Sequence, residues 1–335
     1  MNPDFIVLAA GNGKRMLGSS PKVLLPIGGK PMAQHILDTI SGIEKSRPIL
    51  VVGDQAKEVK NSLQFKRNTK IVTQRKQLGT AHAVKTALAQ LRPSSVTVVL
   101  YGDVPLIEGK TLKRLIRDAS KGALAILTFN KDRPQGYGRV ARGAKNQVEA
   151  IVEEKDATKE EKSINEVNSG ILAIKSILIK KLLPEIKNNN AANEYYLTDI
   201  VSLSKKHGIK VQPLLLEDPD EALGANTPLE LQDLERACQR IRAKKLVNSG
   251  VNIADIDRID SRGSLAVGRG SFIDVNNVFE GRVEIGKNTK IGPNCYIKDS
   301  VIGNEVTLQA STVIEDSRVG DLCKLGPFAR IRGGT

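Results

Sequence analysis

The sequence predicts an α/β domain with a mixed, mostly parallel sheet, followed by a long helix and a short parallel β-helix. Three observations support this class: strand and helix signals alternate up to Leu215, residues 228–249 form one helical pattern, and an apolar residue then recurs every six positions. The chain has 335 residues, enough for about two domains. We predict an α/β domain over residues 1–227, a linker helix over 228–250 and a β-helix over 251–335.

Apolar, β-branched runs alternate with amphipathic segments in the first part of the chain. The predicted strands are Phe5–Ala10, Ile49–Val52, Lys70–Thr73, Val96–Tyr101, Ala123–Thr128, Gln147–Val152, Gly170–Ile174 and Lys210–Leu215. The predicted helices are Met32–Ser41, Thr80–Leu91, Thr111–Ser120, Ser176–Leu183 and Thr198–His207. This alternation favours a layered α/β domain, in which ligands bind outside the carboxyl ends of the strands.

The long helix and the repeat follow. Pro228 suits a first helical turn and Gly250 suits a helix stop. Its predicted apolar face consists of Leu231, Leu234, Cys238, Ile241 and Leu246. The repeat positions are Ile273, Phe279, Ile285, Ile291, Ile297, Ile302, Leu308, Ile314, Val319, Leu325 and Ile331, with two intervals shortened to five. A hexapeptide repeat of this kind is typical of a β-helix, whose coils bury their apolar residues against one another.

The composition narrows the choice of partners. Lys and Arg number 51 against 37 Asp and Glu, a net charge of +14, which raises the question of nucleic-acid binding. Aromatic residues make up only 3%, Trp is absent, and the cations are scattered or lie on a helix, as in residues 240–245. We therefore expect no nucleic-acid partner, although a basic field would attract a small polyanionic substrate.

Membrane and redox signals are weak. No apolar run is long enough to span a bilayer, and the run after Asp4 is too short for a signal peptide. Cys238, Cys295 and Cys323 are far apart without metal-type spacing. We expect reduced core thiols, no membrane partner and a cytoplasmic location.

Two stretches are candidates for phosphate binding. Gly11-Asn12-Gly13 follows the first strand and precedes Lys14 and Arg15, so backbone N–H groups and cations could surround an anion. The spacing matches neither the dinucleotide nor the P-loop fingerprint, and a tight turn with solvated cations is the alternative. Lys22 lies in a segment stiffened by Pro21 and Pro26 and is a candidate phosphate ligand.

Two further stretches suggest a metal and a nucleobase. Asp103 follows the strand Val96–Tyr101, where a carboxylate suits Mg²⁺; a simple turn residue is the alternative. Gln74 and Gln77 carry amides that suit a nucleobase edge, or they belong to an exposed loop with Thr80 as a helix cap. We interpret His82 as a packed or capping residue.

Together these motifs carry a resemblance. LAAGNGKRM, PKVLLPIGGKPM, QRKQLGTAHA, LYGDVPL, GYGRV, IVEEKDAT, NSGI, NEYYLTD and GANTPLEL occur in the same order as in sugar-nucleotide pyrophosphorylases. With the repeat, the whole chain resembles the bacterial bifunctional N-acetylglucosamine-1-phosphate uridyltransferase/glucosamine-1-phosphate acetyltransferases. The resemblance implies a Rossmann-like nucleotidyltransferase domain, a left-handed β-helix and a homotrimer formed through that helix.

The resemblance also implies a reaction and a site. The reaction converts UTP and N-acetylglucosamine 1-phosphate to UDP-N-acetylglucosamine and pyrophosphate, with Mg²⁺. By motif position, Arg15 and Lys22 would be catalytic, and Asp103 and Asn226 would hold the metal. The implied nucleotide ligands are Leu8, Ala9, Ala10, Gly11, Gly13, Arg15, Lys22, Gln74, Gln77, Gly79 and Thr80. The implied sugar ligands are Tyr101, Gly102, Gly138, Glu153, Asn168, Glu194, Thr198 and Asn226.

The end of the sequence departs from the family pattern. The family's acetyltransferase site needs further coils and a histidine, whereas the last histidine here is His207. We therefore do not expect acetyltransferase activity from this chain. A pyrophosphorylase for another sugar or nucleotide, and a non-catalytic scaffold of the same fold, remain the alternatives.

Overall fold

The computed structural model describes residues 2–11 and 20–333. The chain divides into two compact units, one formed by residues 1–25 with 32–227 and the other by residues 26–31 with 228–335. Residues 26–31 group with the second unit, and the division into 1–227, 228–250 and 251–335 stays a prediction. We describe each unit by itself.

The strands and helices up to residue 227 alternate as the sequence pattern predicts. The strands are β1 (Asp4–Ala9), β2 (Pro26–Ile27), β3 (Lys30–Pro31), β4 (Arg47–Val52), β5 (Lys70–Thr73), β6 (Val96–Tyr101), β7 (Leu124–Asn130), β8 (Arg139–Arg142), β9 (Val148–Val152), β10 (Glu166–Lys175) and β11 (Val211–Leu215). The helices are α1 (Met32–Ser41), α2 (Ala56–Ser62), α3 (Thr80–Ala87), α4 (Gly109–Ser120), α5 (Lys159–Lys162), α6 (Ser176–Leu182) and α7 (Ile200–Lys206). The pattern missed the short β2, β3, β8, α2 and α5.

The sheet of the first unit is mixed, as predicted. Its order is β11-β7-β10-β6-β1-β4-β5, with β8 joined to β10 and β9 to β8. β1 pairs in parallel with β4 and β6, and β7 with β11, whereas β10 runs antiparallel to β6 and β7. Because β1 and β6 are parallel neighbours, their carboxyl ends meet at one edge of the sheet.

Helices cover both faces of this sheet. Alternate residues of a strand point to opposite faces, so Val7 packs in one apolar cluster and Ile6 in the other. The cluster around Val7 includes residues of α1 and α4; the cluster around Ile6 includes residues of α3, α6 and α7. The first unit therefore has three layers, with the sheet between two layers of helices. We expect ligands at the carboxyl ends of its parallel strands.

Besides β2 and β3, the second unit contains the helix α8 (Pro228–Asn248), which starts at the predicted proline. Its buried residues are Leu234, Ala237, Cys238, Gln239 and Ala243, so only part of the predicted apolar face is buried. Gln239 lies inside because its amide oxygen accepts from Ser261 N at 2.8 Å and its amide nitrogen donates to Ser261 O at 3.0 Å. The polar residue is therefore satisfied by the backbone that follows α8.

The remaining strands form a parallel β-helix, as the repeat predicts. They are β12 (Asn252–Ile253), β13 (Ile259–Val267), β14 (Phe272–Ile273), β15 (Asn277–Ile285), β16 (Lys290–Ile291), β17 (Tyr296–Lys298), β18 (Val301–Ile302), β19 (Thr307–Leu308), β20 (Val313–Glu315), β21 (Arg318–Val319), β22 (Lys324–Leu325) and β23 (Arg330–Ile331). All pairings between them are parallel among the residues described.

The apolar repeat positions stack in register from coil to coil. One ladder joins Ile273, Ile291, Leu308 and Leu325; the second joins Phe279, Ile297, Ile314 and Ile331; the third joins Ile285, Ile302 and Val319. Most of these side chains are almost fully buried. Residues that are six apart in sequence therefore lie on successive sides of one coil.

Two findings bear on the membrane and cysteine predictions. No helix in residues 2–11 and 20–333 is long and apolar enough to cross a membrane. All three cysteines are free thiols, with Cys238 and Cys295 buried. Burial raises the pKa of both buried thiols, which suits structural residues rather than reactive ones.

Candidate active site

A cleft of about 360 Å³ opens at the carboxyl ends of β1 and β6 in the first unit. Its lining residues come from the ends of these strands, the turn at Lys22 and Val23, the loop after β5, the start of α3 and two distant loops that carry Glu194 and Asn226. They are Leu8, Ala10, Gly11, Lys22, Val23, Gln74, Gln77, Gly79, Thr80, Ala83, Tyr101, Asp103, Glu194 and Asn226. Most of the residues singled out from the sequence therefore share one cavity.

Close packing of β1 against β6 forms the floor of this cleft. Gly102 N donates to Leu8 O at 2.8 Å, immediately beyond the register pair of Leu8 and Tyr101. A Cβ on residue 102 would lie 2.9 Å from Leu8 O and 2.9 Å from the Val23 side chain. Glycine is therefore required here, and Asp103 follows directly at the edge of the cleft.

The loop after β5 forms the side of the cleft where we predict base binding. Gln77 Nε2 donates to Ala10 O at 2.6 Å, which ties this loop to the end of β1. Gln74 is only 4% exposed, and its Nε2 lies 3.3 Å from Gly79 O and 2.9 Å from His82 Nδ1. The backbone of Ala10 thus holds the Gln77 amide, and Gly79 O and His82 of α3 hold the Gln74 amide.

Gly79 allows the chain to enter α3. Its φ of +108° lies in the region that favours glycine, and a Cβ there would lie 2.6 Å from Tyr195 O. Ala81 N donates to that same oxygen at 2.9 Å. Gly79, not Thr80, precedes the helix as its cap, and the hydroxyl of Thr80 instead accepts from Leu197 N at 3.0 Å. The alternative of a Thr80 cap is therefore wrong.

Lys22, Asp103 and Asn226 meet on the phosphate side. The Lys22 ammonium donates to the Asp103 carboxylate and to Asn226 Oδ1, the latter at 2.9 Å. Lys22 lies on a single 3₁₀ turn, Lys22–Leu24, and its side chain is 11% exposed. Among the described residues that line the cleft, Lys22 is the only cation.

The same contacts test whether a divalent ion fits. An ammonium group bonded to both Asp103 and Asn226 means that two oxygen donors converge on one cation-sized position. Hard divalent ions take such oxygens, often with substrate phosphates completing the shell. Within the described ranges no group of three His, Cys, Asp or Glu side chains could hold a metal. The two oxygen donors suit an ion whose remaining ligands come from a bound substrate.

Tyr101 links the cleft to a smaller cavity. It lines both, and Asn168 and Thr198 line the smaller one. Its hydroxyl bonds the Thr80 side chain, and burial together with the charge of Glu153 raises its pKa well above the usual value. The phenol consequently stays protonated and able to donate.

Glu153 lies beside this group. Thr198 Oγ1 donates to Glu153 Oε1 at 2.9 Å, and Asn168 N donates to Gly138 O at 2.8 Å. Burial raises the pKa of Glu153, the Thr198 bond lowers it, and nearby carboxylates raise it further. The net shift is upward, so this carboxylate is less readily ionised than an exposed one.

The predicted site residues divide into three groups. Those lining the main cleft are Leu8, Ala10, Gly11, Lys22, Gln74, Gln77, Gly79, Thr80, Tyr101, Asp103, Glu194 and Asn226. Ala9, Gly102, Gly138, Glu153, Asn168 and Thr198 lie beneath or beside it. Gly13 and Arg15 lie outside the residues that the structure describes. Sequence reasoning missed Val23 and Ala83, whose small apolar side chains carry no signal, and the contact of His82.

The fold and this cleft define the class of the protein: it is a nucleotidyltransferase. Residues 5–193 match the family model of the MobA-like NTP transferase domain, and residues 261–335 match that of the GMPPB C-terminal domain. A solved structure of UDP-glucose pyrophosphorylase complexed with UDP-glucose shares the fold, with a TM-score of 0.59 and 18% identity. It is matched over its whole length by 72% of this chain.

Curated relatives identify the family. The bifunctional protein GlmU of Marinobacter nauticus is 46% identical over 98% of this chain and 72% of its own length. The GlmU proteins of Paraburkholderia phytofirmans and Paraburkholderia phymatum are 43% and 45% identical, each over 73% of its length. This chain belongs to the GlmU family, and the resemblance drawn from its motifs is confirmed.

Proposed function

We propose that this chain transfers the uridylyl group of UTP to N-acetylglucosamine 1-phosphate and releases pyrophosphate, with Mg²⁺ as cofactor. The family, the nucleotidyltransferase domain and the motif resemblance support this reaction. The observation that carries the proposal is the shared cleft of two amides, Gln74 and Gln77, with the Lys22, Asp103 and Asn226 cluster. Amides suit a base and the cluster suits a polyphosphate, so one cleft has a place for each half of a nucleotide.

The chemistry needs no general base. An oxygen of the sugar phosphate is already anionic; it attacks the α-phosphorus of UTP, and the bond to the β-phosphate breaks as pyrophosphate leaves. The protein contributes position and charge. The Lys22 ammonium, free to turn from its present oxygens, would donate to phosphate oxygens and offset negative charge that grows on the leaving group.

Asp103 and Asn226 would hold the magnesium ion together with phosphate oxygens of the nucleotide. When bound, that ion offsets charge on the phosphates and fixes their geometry. The backbone of Ala10 and Gly11, at the end of β1, would approach the same phosphates. Arg15 would add a second cation by motif position.

The sugar would lie near Tyr101 and Glu153. Tyr101 carries a hydroxyl that burial keeps protonated, and Glu153 carries an acceptor fixed by Thr198. Gly138 and Asn168 are joined by a backbone bond and would shape the same wall. This arrangement would position hydroxyls and the N-acetyl group of the sugar.

The decisive experiment measures pyrophosphate release by purified protein with Mg²⁺, UTP and N-acetylglucosamine 1-phosphate. Glucose 1-phosphate, mannose 1-phosphate and the other nucleoside triphosphates are run in parallel, and Mn²⁺ replaces Mg²⁺ in one series. Selective release with the first pair supports the proposal. Faster release with another pair would keep the reaction class and replace the substrates, whereas no release with any pair would leave a scaffold role.

The proposal extends to assembly as a homotrimer through the β-helix. The resemblance favours it, and Leu322 and Phe328 are large apolar side chains that are 72% and 79% exposed. Light scattering on the purified chain gives the mass directly. A monomeric mass would end this extension without affecting the uridylyltransfer proposal.

A further inference from the structure

The two oxygen donors that we assign to a metal lie on segments that strand pairing does not join. Asp103 follows β6 directly, whereas Asn226 lies beyond β11, close to the end of the first unit. Both side chains bond the Lys22 ammonium, so their oxygens converge although neither residue belongs to the sheet. A metal shared by the two donors needs this convergence to be held by supporting contacts.

The segment that carries Asn226 comprises residues 218–226. The last sheet contact before it is made by Leu216, whose N donates to Thr128 O at 2.8 Å. The segment then forms a single 3₁₀ turn, Pro219–Ala222. Bonds within such a turn shape it, but only contacts with other segments can fix its place in the unit.

Glu221 ties this segment to the start of α4. Its side chain is buried, and the residue is only 6% exposed. One oxygen, Oε2, accepts from Glu108 N at 3.1 Å and from Thr111 Oγ1 at 2.7 Å. A carboxylate that accepts hydrogen bonds at a helix N-terminus is also stabilised by the helix dipole. Because Glu108 ends the loop that begins at Asp103, these bonds hold the Asn226 segment beside that loop.

Gly224 brings the same segment close to the backbone of Asp103. A Cβ on residue 224 would lie 3.2 Å from Asp103 O and 3.3 Å from the Val104 side chain, so there is little room for one. Gly224 comes two residues before Asn226 in the sequence. The packing at Gly224 sets how closely the two segments approach, and the bonds of Glu221 hold them together.

We propose that Glu221 is a positioning residue for the metal site: its carboxylate fixes the Asn226 segment to the start of α4 and thereby sets the distance between the Asn226 and Asp103 oxygens. This inference rests on the proposed function and deepens it. Glu221 is not among the described residues that line the cleft, whereas Asn226 lines it. Its effect on a metal would therefore pass through Asn226.

The test measures the dissociation constant of Mn²⁺, without nucleotide, by electron paramagnetic resonance on the whole chain and its variants. Glu221→Ala removes the acceptor, and Glu221→Gln keeps an acceptor oxygen for both donors. The Mn²⁺ dissociation constant should rise roughly tenfold in Glu221→Ala, about the value of one hydrogen bond to a charged group. It should stay within about threefold of the wild type in Glu221→Gln.

Two further variants separate the position of the segment from the stability of the fold. Thr111→Val removes one of the two donors to Glu221, so the Mn²⁺ dissociation constant should rise about threefold. Added to Glu221→Ala, it should cause no further rise, since both changes break the same bond. Gln34→Ala is the matched control: Gln34 is also a buried acceptor, for Gln64 N at 2.8 Å, but it does not line the cleft. It should lower the free energy of unfolding and leave Mn²⁺ affinity unchanged.

A purely structural role of Glu221 gives a different result. Glu221→Ala would then lower the free energy of unfolding, as Gln34→Ala does, while its Mn²⁺ dissociation constant stayed within twofold of the wild type. That outcome would overturn the inference, and so would unchanged Mn²⁺ affinity in Thr111→Val if Glu221→Ala fails to fold. Failure of the proposed function is separate, because the wild type itself would release no pyrophosphate. A wild type that binds no Mn²⁺ would end the metal assignment and this inference with it.

Discussion

The ammonium nitrogen of Lys22 lies 2.9 Å from the amide oxygen of Asn226, although the two residues are 204 positions apart. The same ammonium also bonds the carboxylate of Asp103. Both oxygen donors that we assign to a metal therefore already contact a protein cation. Because one set of oxygens would serve two cations, Lys22 and a divalent ion should compete for them, and nucleotide phosphates would give the displaced ammonium a new partner.

Removal of Lys22 should have opposite effects on metal binding and on catalysis. Lys22→Gln deletes the competing charge, so we expect Mn²⁺ alone to bind about tenfold more tightly, the size of one charge-assisted hydrogen bond. For the same reason kcat/KM for UTP should fall by about 100-fold, since the phosphates lose their donor. Electron paramagnetic resonance of Mn²⁺ and steady-state assays measure the two effects. Lys113→Gln, an exposed position on α4, is the control; unchanged metal affinity in Lys22→Gln would contradict the shared-oxygen assignment.

Asp103 should be essential for turnover but not for folding. Its carboxylate is partly exposed at the cleft edge, so Asp103→Asn should leave the unfolding curve nearly unchanged while kcat/KM falls by at least about 100-fold. Asp54→Asn offers a close control, because Gly53-Asp54 follows β4 as Gly102-Asp103 follows β6. Asp54 is exposed and does not line the cleft, so its variant should keep full activity. Normal turnover in Asp103→Asn would remove Asp103 from the metal site.

Two adjacent carboxylates should respond to pH in opposite directions. Burial raises the pKa of Glu153 above 4.5, so its ionisation costs folding free energy that grows as pH rises through the raised pKa. Burial would also raise the pKa of Glu154, but the hydrogen bond and charge of Arg139 outweigh it and hold that pKa below 4.5. Glu154 therefore contributes stability above 4.5 that is lost as pH falls through its lowered pKa.

Glutamine variants of Glu153 and Glu154 test these opposite pKa shifts. At neutral pH Glu153→Gln should be more stable than the wild type and Glu154→Gln less stable. Both differences should shrink when the pH is lowered through 4.5 and below. Urea unfolding of the three proteins across this range is the measurement. Equal stabilities at neutral pH would mean that neither environment perturbs its carboxylate.

Replacement of Leu322, which has a left-handed backbone conformation at a corner of the β-helix, should stabilise the protein. Leu322 has φ +62° and is 72% exposed, and Asn288 occupies the corresponding corner two coils earlier with φ +54°. Asparagine tolerates this backbone region better than a branched apolar residue. In the monomeric chain, Leu322→Asn should raise the free energy of unfolding by roughly 0.5–1 kcal/mol, measured by thermal or denaturant unfolding. Leu229→Asn, an equally exposed helical position, should bring no gain; equal effects would remove the backbone explanation.

The sequence predicted those parts of the fold in which buried apolar residues recur at regular positions. Apolar runs such as Val96–Tyr101 became central strands because both faces of the sheet are covered, and the six-residue period became three stacked ladders because each side of a coil buries one residue. β8 was missed because Arg139–Arg142 is only four residues long and has an arginine at each end, so it contains no apolar run that marks a strand. No local pattern could place Asn226 beside Lys22, since that contact depends on the whole sheet. The family motifs supplied it instead.

The hairpin β2–β3 belongs to the second unit, although almost 200 residues separate it from the rest of that unit. It lies early in the sequence, yet Gly28 N donates to Glu235 at 2.6 Å and Gly28 O accepts from Arg242 at 3.0 Å. Ile27 is fully buried there. On the ribosome this hairpin emerges some 200 residues before its partners and must wait for them. A chain cut after residue 227 would keep every residue of the nucleotide cleft and still expose this hairpin, so the unit that carries the cleft cannot be excised cleanly with a single cut.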